Sequence, residues 1–205
     1  MRPATTLLLV RHGRTATTGR ELPAATQELD ARGHAQAAAV AQALAALSPA
    51  PAALYTSPLV RCRQTAAPMA HALGQRARLA AGVRECDYGE WIGQPLSRLR
   101  RLAAWRAVIT TPSTVTFPGG ESLAAMSQRV WATLLDLAAR HPGERVVVVS
   151  HADPIRAALA VAQGVPLDLF GRIVVAPASI SVVRLGETPA VLAVNLTDLA
   201  AVVGR

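Results

Sequence analysis

Two short aliphatic runs break the mixed pattern of polar and apolar residues along this chain, Leu7-Leu8-Leu9-Val10 and Val146-Val147-Val148-Val149. Four aliphatics bounded by polar residues are the pattern of a strand buried on both faces, as inside a parallel sheet. Residues 53–56 predict a third strand and 77–80 a weaker one. Residues 180–184 and 191–194 predict a final antiparallel pair, with Gly186 near the turn. Asp30 caps a helix reaching about residue 47, where Pro49 and Pro51 break it. Ser57-Pro58 supplies an N-cap and a first-turn proline for a helix to about residue 73. Further helices are expected over 96–109, 121–140 and 154–162, and residues 16–28, 83–93 and 110–120 read as loops. Strands alternating with helices predict a three-layer α/β/α domain around a mainly parallel sheet. At 205 residues, with no internal repeat, linker or boundary, the chain is expected to be one domain spanning residues 1–205.

Composition narrows the classes. The hydrophobic share is 51%, yet alanine supplies much of it and aromatics are only 3%, so the core should be aliphatic with helices packed over small side chains. No apolar stretch reaches the ~18 residues of a membrane span. Residues 7–10 fall short of the ~7–15-residue apolar region of a secretory signal. A cytoplasmic protein with no membrane association is therefore expected. Cys62 and Cys86 form neither a disulfide framework nor a metal-ligand pattern and read as buried thiols. The net charge of +8 comes from arginine alone, since the chain contains no lysine. The arginines are scattered, without interleaved aromatics, and cluster only at Arg98-Leu99-Arg100-Arg101. Nucleic acid is accordingly not the expected partner; an anionic small substrate accounts for the same balance.

The candidate chemistry lies at strand ends. Arg11, His12 and Gly13 follow the first aliphatic run, and Ser150-His151-Ala152-Asp153 follow the second. In open α/β sheets, ligands bind beyond the carboxyl ends of the strands, so both imidazoles should open into one crevice. Arg61 sits in the first turn of the helix after Ser57-Pro58, where a guanidinium and free backbone N–H groups suit an anion. The loop Val83-Arg84-Glu85-Cys86-Asp87-Tyr88-Gly89-Glu90-Trp91 carries three carboxylates, Glu85, Asp87 and Glu90, among which residue chemistry alone does not choose.

Together these motifs resemble the histidine phosphatase superfamily, also called phosphoglycerate mutase-like, over nearly the whole chain. The resemblance rests on Arg11-His12-Gly13 with Thr15, on residues 29–33 leading into Gln36-Ala37, and on Ser57-Pro58-Leu59 with Arg61 and Gln64-Thr65-Ala66. It continues through Glu85 with Tyr88-Gly89-Glu90-Trp91 and Gly93, then Pro118-Gly119-Gly120-Glu121-Ser122 and Ser150-His151. Residues 85–93 and Asp168-Leu169-Phe170 are also similar to a bacterial subgroup described as probable phosphomutases or phosphatases. The resemblance implies that His12 attacks phosphorus and becomes a phosphohistidine, while Arg11, Arg61 and His151 surround the equatorial oxygens. It implies that Glu85 protonates the leaving oxygen and later activates water. No metal and no cofactor are implied.

Two positions depart from the family pattern. Thr18 stands where mutases commonly carry asparagine, leaving one hydrogen bond to donate to phosphate. Ala152 stands where a glycine usually follows the distal histidine, so its N–H reaches phosphate only with a negative φ. The expected activity is hydrolysis of a small phosphorylated metabolite. Efficient mutases of the family carry an insertion after the Glu85 segment that covers the site, and only about 25 residues separate Gly93 from Pro118 here. The alternatives are a phosphomutase, with Arg98, Arg100, Arg101 and Arg106 folded over the pocket, and a non-catalytic binder of phosphorylated ligands. The oligomeric state stays open, a homodimer included.

Overall fold

The computed structural model describes residues 3–197. Its sheet has six strands in the order β3-β2-β4-β1-β5-β6. They are β1 (Thr5–Arg11), β2 (Ala53–Thr56), β3 (Ala77–Leu79), β4 (Arg145–Ser150), β5 (Ile180–Leu185) and β6 (Ala190–Leu196). β3, β2, β4 and β1 run parallel, while β5 and β6 close one side antiparallel. The mainly parallel α/β sheet and the antiparallel final pair are as the sequence predicts.

The two aliphatic runs sit at the centre of the sheet and are buried on both faces, as is the short β2 beside them. Alternate side chains point to opposite sides of the sheet. Leu7, Leu9, Val146 and Val148 thus join one apolar cluster and Leu8, Val10, Val147 and Val149 the other. Helices α1 (Ala31–Ala45) and α2 (Val60–Ala72) cover the second cluster, through Val40, Leu44, Cys62 and Met69. The first is covered by α5 (Leu123–Arg140) and α6 (Ala152–Gln163), through Met126, Val130, Leu134, Ile155 and Leu159. Among the described residues no helix is long and apolar enough to cross a membrane.

Several boundaries differ from the sequence reading, each for a local reason. The helix expected over 96–109 is two pieces, α3 (Leu96–Leu99) and α4 (Ala103–Thr110). The break lets Leu99 bury in the core while Trp105 stacks on Trp91 at 6.0 Å between ring centroids, which one straight helix does not combine. The helix expected from residue 121 starts at Leu123, because Ser122 is its N-cap and accepts from Ala125 N at 3.0 Å. Ser57 is not the N-cap of α2; Leu59 takes that place without a side-chain bond, and the Ser57 hydroxyl is engaged elsewhere. Helix α6 begins at Ala152 with His151 at its N-cap, and ends at Gly164 with φ 66°.

One close approach fixes the turn after β1. A Cβ on Gly33, in the first turn of α1, would collide with the backbone of Arg14, and a Cβ on Gly13 would collide with the backbone of Gly33. Neither obstacle is a movable side-chain end. Gly33→Ala is therefore expected to cost about 1–3 kcal/mol, in the range of overpacking elsewhere. A urea-unfolding midpoint equal to the parent's would contradict this packing.

Candidate active site

The register of the two central strands builds the site. Arg11 of β1 pairs with Ser150 of β4, so His12 and His151 leave the sheet side by side. His12 N donates to Ser150 O at 2.9 Å, and the two imidazole rings meet edge to face at 5.2 Å between centroids. Both rings are buried. Gly13 N donates to the Thr65 hydroxyl at 3.0 Å, and that hydroxyl donates to Arg61 O at 2.7 Å, which ties the first motif to the start of α2.

His12 Nδ1 lies 2.7 Å from Gly13 O. A carbonyl only accepts, so Nδ1 carries the proton and Nε2 keeps its lone pair. Arg61 Nε points at that nitrogen from 3.3 Å. His151 Nε2 lies 2.8 Å from the Ser57 hydroxyl and 3.4 Å from Cys62 Sγ, and its Nδ1 lies 3.9 Å from Glu85 Oε2. Burial first, then the neighbouring arginines, hold both imidazoles well below the usual histidine range. They are neutral at physiological pH.

The two arginines are anchored at one end and open at the other. Arg61 is fully buried; its Nη1 donates to Ala24 O at 2.9 Å, while its Nη2 has no partner. Arg11 donates through Nη1 to Val175 O at 2.7 Å, and its Nε has no partner. Buried donors on a charged group are expensive to leave unmade, at about 1–3 kcal/mol or more each. An anion accepting from both would remove that cost, and guanidinium forks suit phosphate geometry.

Of the three candidate carboxylates, the structure brings only Glu85 to the histidines. It is buried, whereas Asp87 and Glu90 are exposed. Burial pushes the Glu85 carboxyl up to about 7, Asp153 adds to the rise, and Arg61, the Cys86 N–H and Arg11 oppose it. Ala152 opens α6, so its N–H belongs to the first turn, where backbone donors have no intrahelical acceptor. The Thr18 hydroxyl accepts from Thr15 N at 2.9 Å and pairs with the Thr15 hydroxyl at 2.9 Å, a pair in which either can donate. Arg98, Arg100, Arg101 and Arg106 are all exposed on α3, α4 and the turn between them.

Two participants escaped the sequence reading. Asp153 accepts from Tyr88 OH at 2.8 Å and from Arg156 Nη1 at 3.1 Å. Burial and the Asp153 charge keep Tyr88 protonated. Asp153 stands two residues after His151, a spacing that puts it in the same helix turn and was available as a signal. Ser57 looked like a helix cap, and no local pattern reveals that its hydroxyl serves His151. Among the described residues no group of three or more His, Cys, Asp or Glu is placed to hold a metal ion.

Comparison with known proteins agrees with this geometry. The model of the histidine phosphatase superfamily (branch 1) matches residues 7–197. Phosphoserine phosphatase 1 of Hydrogenobacter thermophilus is 33% identical over 196 residues, covering 93% of this chain and 92% of the relative. A 2,3-bisphosphoglycerate-dependent phosphoglycerate mutase of Brucella anthropi is 31% identical over 172 residues, covering 78% and 82%. Among solved structures, a phosphoserine phosphatase variant from Entamoeba histolytica in complex with phosphoserine shares the fold, with a TM-score of 0.85 at 24% identity over 95% of this chain and 98% of that one. With a family match that runs from the first aliphatic strand to residue 197, and with its histidines paired at the ends of adjacent parallel strands beside a buried Arg61 and a half-buried Arg11, this chain belongs to branch 1 of the histidine phosphatase superfamily.

Proposed function

We propose that this protein hydrolyses phosphate monoesters of small metabolites through a phosphohistidine on His12. The observation that carries this reading is the tautomer of His12: Nδ1–H is spent on Gly13 O, which leaves a nucleophilic Nε2 beside two guanidiniums with unmet donors. In the first step Nε2 attacks phosphorus and the bond to the leaving oxygen breaks. Glu85, held protonated by its surroundings, gives its proton to that oxygen. Arg11, Arg61, His151 and the N–H of Ala152 face the equatorial oxygens, where the charge of a loose transition state spreads. In the second step the Glu85 carboxylate takes a proton from water. The new hydroxide attacks phosphorus, the P–N bond breaks, and phosphate leaves with His12 and Glu85 restored. Thr18 accepts from Thr15 N and pairs with the Thr15 hydroxyl, a pair in which either can donate, so its O–H can still turn to a phosphate oxygen. One chain supplies every group, so no second copy is required. Reducing conditions in the cytoplasm suit the two free cysteines, Cys62 and Cys86.

Hydrolysis is favoured over mutase action because only about 25 residues separate Gly93 from Pro118, too few for a covering insertion that would keep water from the phosphohistidine, and the arginines within that span are exposed to solvent. The names of the relatives put phosphoserine and phosphoglycerates first among substrates to try. Supplied with 3-phosphoglycerate and a catalytic amount of 2,3-bisphosphoglycerate, the protein is expected to release free phosphate faster than it forms 2-phosphoglycerate. Isomer appearing many times faster than phosphate would replace the phosphatase with a mutase.

The pH dependence follows from the Glu85 environment. The transfer step needs the protonated carboxyl, so its rate on an alkyl phosphate falls as pH rises through about 7. Asp153→Asn removes a negative neighbour, lowers the Glu85 pKa and moves that falling limb to lower pH. Measured between about pH 6.5 and 9, where a phosphate monoester is mostly the dianion, a limb that stays in place or moves upward in Asp153→Asn contradicts the assignment.

A further inference from the structure

The segment that ends in Glu85 is held in an unusual way. Four consecutive carbonyls, Gly82 to Glu85, are each met by a side chain from another element. Arg129, in the middle of α5, donates through Nη1 to Gly82 O at 2.7 Å and to Arg84 O at 3.1 Å, and through Nη2 to Glu85 O at 3.4 Å. The Ser150 hydroxyl, one residue before His151, donates to Val83 O at 2.7 Å. Arg129 also pairs with Glu121, whose carboxylate accepts from Asp87 N at 2.9 Å and whose own N–H donates to Asp87 O at 2.9 Å. The guanidinium and its partner thus grip the chain on both sides of Glu85. Segments without regular structure ordinarily satisfy their carbonyls with water or turn bonds; here Arg129, 19% exposed, serves three of the four and the Ser150 hydroxyl the other.

We infer that Arg129 is the positioning residue for the proton donor: its guanidinium fixes the backbone that carries Glu85, so that the carboxyl meets the leaving oxygen while His12 attacks. The inference rests on the reading of Glu85 as general acid. Arg129 touches neither substrate nor the reacting atoms; it acts through the placement of another residue. A displacement of about 1 Å in such a group costs up to about a hundredfold in rate.

The test compares glycerol 2-phosphate, whose alkoxide needs a proton to leave, with 4-nitrophenyl phosphate, whose leaving group does not. Glu85→Gln sets the scale and loses far more on the alkyl substrate. Arg129→Met is expected to lower kcat on glycerol 2-phosphate about 10–100-fold more than on 4-nitrophenyl phosphate, with KM little changed. Arg129→Lys, which keeps the charge opposite Glu121, recovers part of the difference, and it decides the comparison alone if Arg129→Met does not give folded protein. The double variant Glu85→Gln/Arg129→Met should be scarcely worse than Glu85→Gln on the alkyl substrate, because both changes remove one function. Equal losses on the two substrates, or multiplying losses in the double variant, overturn the role of Arg129. A Glu85→Gln variant without substrate preference overturns the general acid itself, and this inference with it.

Discussion

The parallel pairing of β1 with β4 is the constraint on which the site depends. It places Arg11 opposite Ser150, and the next residue on each strand is a histidine. A slip of one residue would turn every side chain of β1 to the other face, exchanging the members of the two apolar clusters. Burial of both faces forbids that slip, since each of the four valines of β4 is fully enclosed. The hydrophobic pattern that fixes the fold therefore also fixes the distance between the imidazoles. Fold and site share one register.

Around that register the chain concentrates buried charge that it does not neutralise from within. Arg61 and Arg11 each use one N–H on a carbonyl, from Ala24 and Val175, and each keeps another donor unmet. The carbonyl partners orient the guanidiniums before any ligand arrives. Donors fixed in advance need no reorganisation when charge develops on the transferring group, which is where electrostatic catalysis gains most. Burial, and after it the same arginines, hold His12 and His151 well below the usual histidine range, and burial together with Asp153 offsets the arginines at Glu85. The proposed nucleophile and proton donor thus share one buried site, an imidazole whose pKa is lowered and a carboxyl whose pKa is raised to about 7.

The central strands were legible in the sequence because aliphatic runs have few other uses, and the antiparallel edge because its turn lies close by. Strand ends then pointed to His12 and His151. What stayed hidden depends on contacts between distant parts of the chain. Ser57-Pro58 carries a strong helix-start signal, but the hydroxyl is 2.8 Å from His151, in a part of the sequence that no local pattern links to it. Glu85, Asp87 and Glu90 are chemically alike, and only burial separates them. The break between α3 and α4 follows from Trp105 stacking on Trp91, a tertiary preference stronger than the helical pattern across residues 96–109. Thr18 occupies a family position, and no local pattern shows that its hydroxyl also holds Thr15 within the loop.

The central claim is that His12 carries the phosphoryl group between the two half-reactions, and trapping that group tests it most directly. The protein is mixed briefly with a radiolabelled phosphate monoester, quenched in denaturant at alkaline pH, digested and mapped. The account predicts acid-labile, base-stable phosphate on the peptide containing His12, absent from His12→Ala. Label on His151, or turnover by His12→Ala at the parent's rate, would contradict it.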